Sequence, residues 1–132
     1  MRVLALDYGS ARCGCALSDP SGTIVTPIPA VSRPATKRGL QTLRELIRER
    51  AVERVVVGLP LSLRGTDTAQ TRETRAFAER LSGQLGEAIP VEMHDERFTT
   101  RMAQGMQGPF MEGEDSRAAA LLLESWLAAR SR

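Results

Sequence analysis

Apolar positions in this chain fall in short blocks, and their spacing changes character from one block to the next. Val3-Leu4-Ala5-Leu6 is an unbroken apolar run closed by a turn signal at Gly9-Ser10, which is how a strand buried on both faces reads in sequence. The chain continues through Arg12 to Asp19 as a second strand. Ser21-Gly22 makes the next turn, and Thr23 to Ile28 reads as a third strand ended by Pro27 and Pro29. Three consecutive strands with short connections predict an antiparallel meander.

The period then lengthens. A helix is predicted from near Thr36, with Leu40, Leu43, Leu46 and Ile47 on one stripe and Arg44, Arg48 and Glu49 off it. Val55-Val56-Val57-Gly58-Leu59-Pro60 is a continuous, β-branched run, so it predicts a doubly buried strand parallel to the first. A polar loop, Leu61 to Asp67, leads to a second helix from about Asp67 to Leu85, in which Phe77, Leu81 and Leu85 are four apart. The surface around Phe77 and Leu81 is core in the first instance and a dimer contact in the second. Pro90 to Glu96 predicts a short strand ending in acids, and the alternation of strands and helices predicts right-handed parallel crossovers. Thr99 to Gln107 reads as helical, Gly108 to Gly113 as a loop, and Asp115 to Ala129 as a last helix. Its run Ala118 to Leu123 is apolar all round and is expected against the sheet.

Composition narrows the class. A chain of 132 residues makes one α/β domain spanning 1–132, and two full lobes do not fit. A hydrophobic fraction of 42% and a charged fraction of 26% are those of a globular protein rather than a disordered one. No apolar run approaches the roughly 18 residues that span a bilayer, and Met1-Arg2-Val3 leads into a strand, so a cytoplasmic location is expected. Cys13 and Cys15 stand two apart in a predicted strand, so they point the same way and are expected as unbridged apolar fillers. A net charge of +2 does not by itself establish a nucleic-acid partner. Lys37 is the only lysine; arginine at every other basic position suits phosphate through its planar fork, and a genome biased toward arginine codons gives the same composition.

The acids fall at the ends of elements. Asp7 ends the first strand, Asp95 and Glu96 end the last, and Asp115 opens the final helix. Two unit charges about 5 Å apart repel by roughly 3 kcal/mol at an effective dielectric near 20, a cost that divalent cations with hard oxygen preference offset. Mg²⁺ or Mn²⁺ is the expected ion. Each acid also has a plainer role: Asp7 bonding the turn backbone, Asp115 capping its helix, Asp95 and Glu96 pairing with Arg97 or Arg101. His94, the only histidine, is expected to pack in or beside its strand rather than act as a base.

Four blocks, in this order and spacing, resemble the YqgF/RuvX proteins of the RNase H-like, Holliday-junction-resolvase-related superfamily. They are Leu6-Asp7-Tyr8-Gly9 with Arg12 and Gly14, Val57-Gly58-Leu59-Pro60-Leu61 with Gly65, Asp95-Glu96-Arg97-Phe98-Thr99-Thr100, and Asp115 with Ala118-Ala119. The resemblance spans nearly the whole chain and implies an RNase H-like fold: a five-stranded mixed sheet, three antiparallel strands then two parallel ones, flanked by helices. It implies two metal ions held by Asp7, Glu96 and Asp115, with Asp95 as support for Glu96 or its substitute. Cys13 and Cys15 replace aliphatic residues, Ala11 stands where the family often has Lys, and Ser62 where Asn is common. None of these is an implied ligand.

The activity implied is a two-metal endonuclease hydrolysing phosphodiesters of branched DNA or of precursor 16S rRNA, in DNA recombination and repair or in ribosome biogenesis. Asp7 would bridge the ions, with Arg12, Arg97, Arg101, Arg64 and Arg72 as phosphate contacts. A junction resolvase is expected as a two-fold homodimer, whereas an rRNA-processing nuclease need not be one. Two other classes compete. A catalytically inactive nucleic-acid-binding module is opposed by the presence of all three acid positions, and an actin-like ATPase-related phosphate domain by the lack of room for a second lobe.

Overall fold

The computed structural model describes residues 1–97 and 113–130, the side chains of 113–115 excepted. The helix predicted at 99–107, residues 108–112 of the loop predicted at 108–113, and Arg101 lie outside the described residues. Five strands, β1 (Val3–Asp7), β2 (Arg12–Ser18), β3 (Val25–Ser32), β4 (Arg54–Leu59) and β5 (Val91–Asp95), form one sheet in the order β3-β2-β1-β4-β5. β1 pairs antiparallel with β2 and parallel with β4, β2 antiparallel with β3, and β4 parallel with β5. The meander and the two parallel additions are therefore as expected, with β1 at the centre.

β3 departs from expectation. It runs through Pro27 and Pro29 to Ser32 instead of stopping at them. Because β3 is the outermost strand, the two missing N–H groups, two residues apart and so on one side of the strand, need no ladder partner.

The described helices are α1 (Lys37–Glu49), α2 (Ala69–Leu85) and α3 (Gly113–Arg130). Thr36 caps α1, its side chain accepting from the Gly39 N–H. α2 starts at a reciprocal capping box between Thr68 and Thr71, and the Thr71 hydroxyl also donates to the Pro60 carbonyl, tying the helix start to the end of β4. Thr68→Ala is expected to lower stability by about 1 kcal/mol, read as a shift in urea midpoint with unchanged slope.

Strand alternation sorts the core into two layers. Leu4, Leu6, Tyr8, Cys13, Cys15, Val55 and Val57 meet α1 and α2 through Leu40, Leu43, Ile47, Phe77 and Leu81. Val3, Ala5, Ala16 and Val56 meet α3 through Ala119, Ala120, Leu122, Leu123 and Trp126. Phe77 is buried and stacks on Tyr8 with ring centroids 4.5 Å apart, and it and Leu81 belong to the core. Both cysteines are buried and unbridged. No described helix is long and apolar enough to cross a membrane.

Candidate active site

Alternation also decides where the acids go. Val3 and Ala5 face α3, so Asp7, two further along β1, shares that face at the end of the strand. Its cross-strand partner on β2 is Gly14. On the other side, the register Leu6 to Val57 brings Gly58 of β4 level with Asp7. A residue without a side chain thus flanks Asp7 on each side.

β5 alternates in the same way. Val91 and Met93 pack into the α1/α2 layer, while Glu92 and His94 reach α3: the Trp126 indole N–H donates to Glu92, and His94 Nε2 lies 3.0 Å from the Ser125 hydroxyl. Burial lowers the His94 pKa. His94 thus packs beside its strand, as expected, and is engaged by α3. Asp95 belongs to the α1/α2 side and Glu96 to the α3 side, so the two neighbouring acids part company.

Asp95 is held by Arg97. The guanidinium donates to it from Nε at 2.9 Å and from Nη2 at 2.6 Å, and the Arg97 backbone N–H adds a bond of 2.9 Å. These donors hold the Asp95 carboxyl below its ordinary range. Arg97, expected as a phosphate contact, is bonded to Asp95 and to the Leu63 carbonyl, the latter at 3.3 Å.

Glu96 turns the other way. Its backbone N–H extends the sheet by donating to the Leu59 carbonyl at 3.1 Å. Its side chain lies across Gly58, where a Cβ would come within 2.9 Å of Glu96 Cγ. There it meets Asp7. Burial, the charge of Asp7 and a side-chain hydrogen bond with Asp7 push the Glu96 pKa from 4.5 up to about 8, with Asp95 adding a smaller repulsion. The proton that Glu96 keeps is shared with Asp7 through that hydrogen bond.

Gly58 is a site residue whose role the sequence motif alone did not express. The available signal was a glycine inside a β-branched run, which marks a close approach of another group to the strand. Gly58→Ala is expected to displace Glu96 and lower activity about 10²-fold. The same change is expected to cost about 1–3 kcal/mol of stability by overpacking. Activity assay and urea denaturation on one preparation check both.

Asp115 lies in the first turn of α3, inside the helix rather than at its cap. The next residue, Ser116, is buried; its hydroxyl donates to the Ile28 carbonyl and accepts from the Cys15 N–H. Cys15 pairs with Leu6, so the start of α3 is pinned to the sheet one residue from the level of Asp7, on Asp7's face. Among the described residues no group of three His, Cys, Asp or Glu side chains is placed to hold a metal ion. The two described donors nevertheless fit a hard divalent cation: paired carboxylates, whose shared proton such a cation would replace.

Three arginines rim the strand ends. Arg12 opens β2, Arg64 lies in the loop after β4, and Arg72 is in the first turn of α2; all are exposed. A polar groove of about 480 Å³ lies between the β1–β2 turn and the start of α2, lined by Tyr8, Ser10, Arg12, Gln70 and Glu73 among others. A wider groove of about 960 Å³ between β3 and α1 is lined by neither Asp7, Asp95 nor Glu96.

The chain has relatives in sequence and in fold. The sequence is 41% identical over 126 residues to a protein of Synechococcus sp. (strain CC9902) named "Putative pre-16S rRNA nuclease", covering 95% of this chain and 77% of that protein. A protein of the same name from Anaeromyxobacter sp. (strain Fw109-5) is 39% identical over 137 residues, covering 98% of each. Among solved structures, Thermus thermophilus RuvC in complex with a Holliday junction substrate superposes with a TM-score of 0.66 at 15% identity, over 99% of this chain and 96% of that one. A fowlpox virus resolvase with Holliday junction DNA gives 0.61 at 10% identity over the full length of both. At these identities the structures establish a shared RNase H-like fold. The profile of the family described as "RuvX: Holliday junction resolvase" matches residues 1–129, and the chain belongs to the RuvX family.

Proposed function

We propose that this protein, acting as one domain over residues 1–132, is a divalent-metal-dependent endonuclease that hydrolyses phosphodiesters of structured nucleic acid. The observation that carries the reading is the convergence of Asp7 and Glu96 across Gly58, with a pKa of about 8 that a cation would relieve. Asp7, Glu96 and Asp115 would hold Mg²⁺ or Mn²⁺, two ions per site, Asp7 being central because β1 is central in the sheet. When bound, such ions supply an activated water and neutralise charge on the leaving oxygen.

The remaining work belongs to the chain. Asp7 ends β1 and Glu96 follows β5, tied to the sheet by its N–H on the Leu59 carbonyl, so the pair would need little reorganisation, which is the basis of electrostatic preorganisation. Arg12, Arg64 and Arg72 would position the phosphate backbone and contribute most of the salt-dependent affinity. Asp95 supports Glu96 from the far side of the strand. Arg101 stays a proposed phosphate contact.

Precursor 16S rRNA is the favoured substrate, since the relatives at 35–41% identity carry that name, and the cytoplasm is then the place of action. A four-way DNA junction is the second reading, favoured by the family description and by the superposed junction complexes. A two-fold dimer belongs to that reading, in which two sites must face opposite arms.

The test is cleavage of labelled precursor rRNA fragment, four-way junction, linear duplex and single-stranded RNA in Mg²⁺, Mn²⁺ or EDTA. Metal-dependent cutting of the rRNA precursor in preference to the junction is expected, with complete loss in EDTA. Cutting that survives the chelator would overturn the metal assignment, and junction-only cutting by a dimer would replace the substrate reading.

A further inference from the structure

We propose that Arg97 is a positioning residue for Glu96, acting through Asp95 and the loop after β4, rather than a contact to the substrate backbone. The inference rests on the reading of Glu96 as a metal ligand. Three observations meet at this point. Arg97 grips Asp95 with its side chain, at 2.9 and 2.6 Å, while its own backbone N–H donates to the same carboxylate at 2.9 Å. This closes a side-chain turn over the single residue between them, which is Glu96. The second face of the guanidinium reaches the 61–67 loop: Nη1 donates to the Leu63 carbonyl at 3.3 Å. It also lies 3.1 Å from where a Cβ on Gly65 would stand, and Gly65 has a φ of +82°. That loop is already braced, since the Gly65 N–H donates to the Ser62 carbonyl at 2.8 Å and the Ser62 and Thr66 hydroxyls are bonded at 2.7 Å.

Alternation explains why the brace is needed. The β4–β5 ladder ends at the Leu59–Asp95 pair, and Glu96 is fixed to the sheet by its N–H on the Leu59 carbonyl. A short acid-to-arginine clamp on the α2 side fixes the backbone rotation that sends Glu96 to the α3 side, over Gly58 and onto Asp7. A guanidinium suits this task because its planar fork matches a carboxylate and still leaves a nitrogen for the loop carbonyl. A lysine ammonium keeps the charge but not the fork.

Two measurements test it on the full-length protein. The first is amide hydrogen exchange of the metal-free protein, in wild type, Asp95→Asn, Arg97→Gln and Arg97→Lys. Faster exchange at Glu96, Gly65 and Thr66 is expected in all three variants, to a similar degree. Wild-type exchange at these amides in the variants would overturn the brace.

The second is steady-state cleavage with a salt series, adding the double variant Asp95→Asn/Arg97→Gln. Each single variant is expected to lower kcat by about 10²-fold with KM within about two-fold, the scale of a misplaced reacting group. The double variant is expected to be no worse than either single one, because both break the same clamp. A phosphate contact would behave otherwise. Arg97→Gln would raise KM and reduce the salt slope by about one unit, Arg97→Lys would restore both, and Asp95→Asn would not reproduce the loss. That pattern would overturn the proposal. Absence of cleavage by the wild type on every substrate would instead count against the nuclease reading, and the exchange data would then decide the brace alone.

Discussion

Asp7→Asn is expected to abolish cleavage, by about 10³-fold or more in kcat, while nucleic-acid affinity stays within about two-fold of wild type. Asn is nearly isosteric with Asp, so the strand end keeps its shape between Gly14 and Gly58. What changes is charge. Removing one carboxylate takes away the donor nearest the sheet centre and leaves the exposed arginines at 12, 64 and 72 in place. Substrate affinity rests on those arginines and on backbone contacts, so it is expected to survive. Single-turnover cleavage beside a binding titration separates the two quantities. Equal rates for Asp7→Asn and wild type would remove Asp7 from the chemistry.

Glu96→Gln is expected to give two effects of opposite sense: a loss of activity comparable to that of Asp7→Asn, and a gain of stability in EDTA at alkaline pH. The second follows from linkage. In the fold the Glu96 pKa is pushed up to about 8, against 4.5 for the free side chain, by burial and by Asp7. A raised carboxyl pKa favours the fold below pH 4.5, and that contribution is lost as pH climbs through 8. Gln does not titrate, so the variant escapes the loss. In EDTA its advantage is expected to grow between pH 5 and 9 to on the order of 2 kcal/mol, once solvent screening is allowed for. A divalent cation is expected to reverse the ranking, since it stabilises the wild-type carboxylates by binding only the folded form. Thermal denaturation across pH, with and without Mg²⁺, reads all of this. A wild-type Tm that does not fall relative to Glu96→Gln as pH rises would show that Asp7 and Glu96 are not coupled.

Much of the sheet was legible because its strands carry clear signals: unbroken apolar runs at β1 and β4, turns at Gly9-Ser10 and Ser21-Gly22, and helical spacing at Leu40, Leu43 and Ile47. β3 misled because a proline ends a central strand but not an edge strand, and edge position is a property of the sheet rather than of the segment. The cluster of acids at strand ends was legible as positions. Which acid of Asp95-Glu96 faces Asp7 was not extracted, although the parity of β5 contains it: Met93 faces the α1/α2 layer, so Asp95 does too, and Glu96 faces α3. Reading that parity requires knowing which layer α3 occupies. The pairing of Asp95 with Arg97 was legible as one of two arginine partners; its reach to the Leu63 carbonyl was not, because a sequence does not show which loop stands beside a strand end.

The central claim is that Asp7 and Glu96 form one cation site. Titration of the protein with Mn²⁺, followed by electron paramagnetic resonance of the free ion in wild type, Asp7→Asn and Glu96→Gln, tests it most directly. The expected result is saturable binding by wild type that each variant weakens by more than the roughly 10–100-fold typical of changes outside the ligand shell. Unaltered Mn²⁺ affinity in both variants would contradict it.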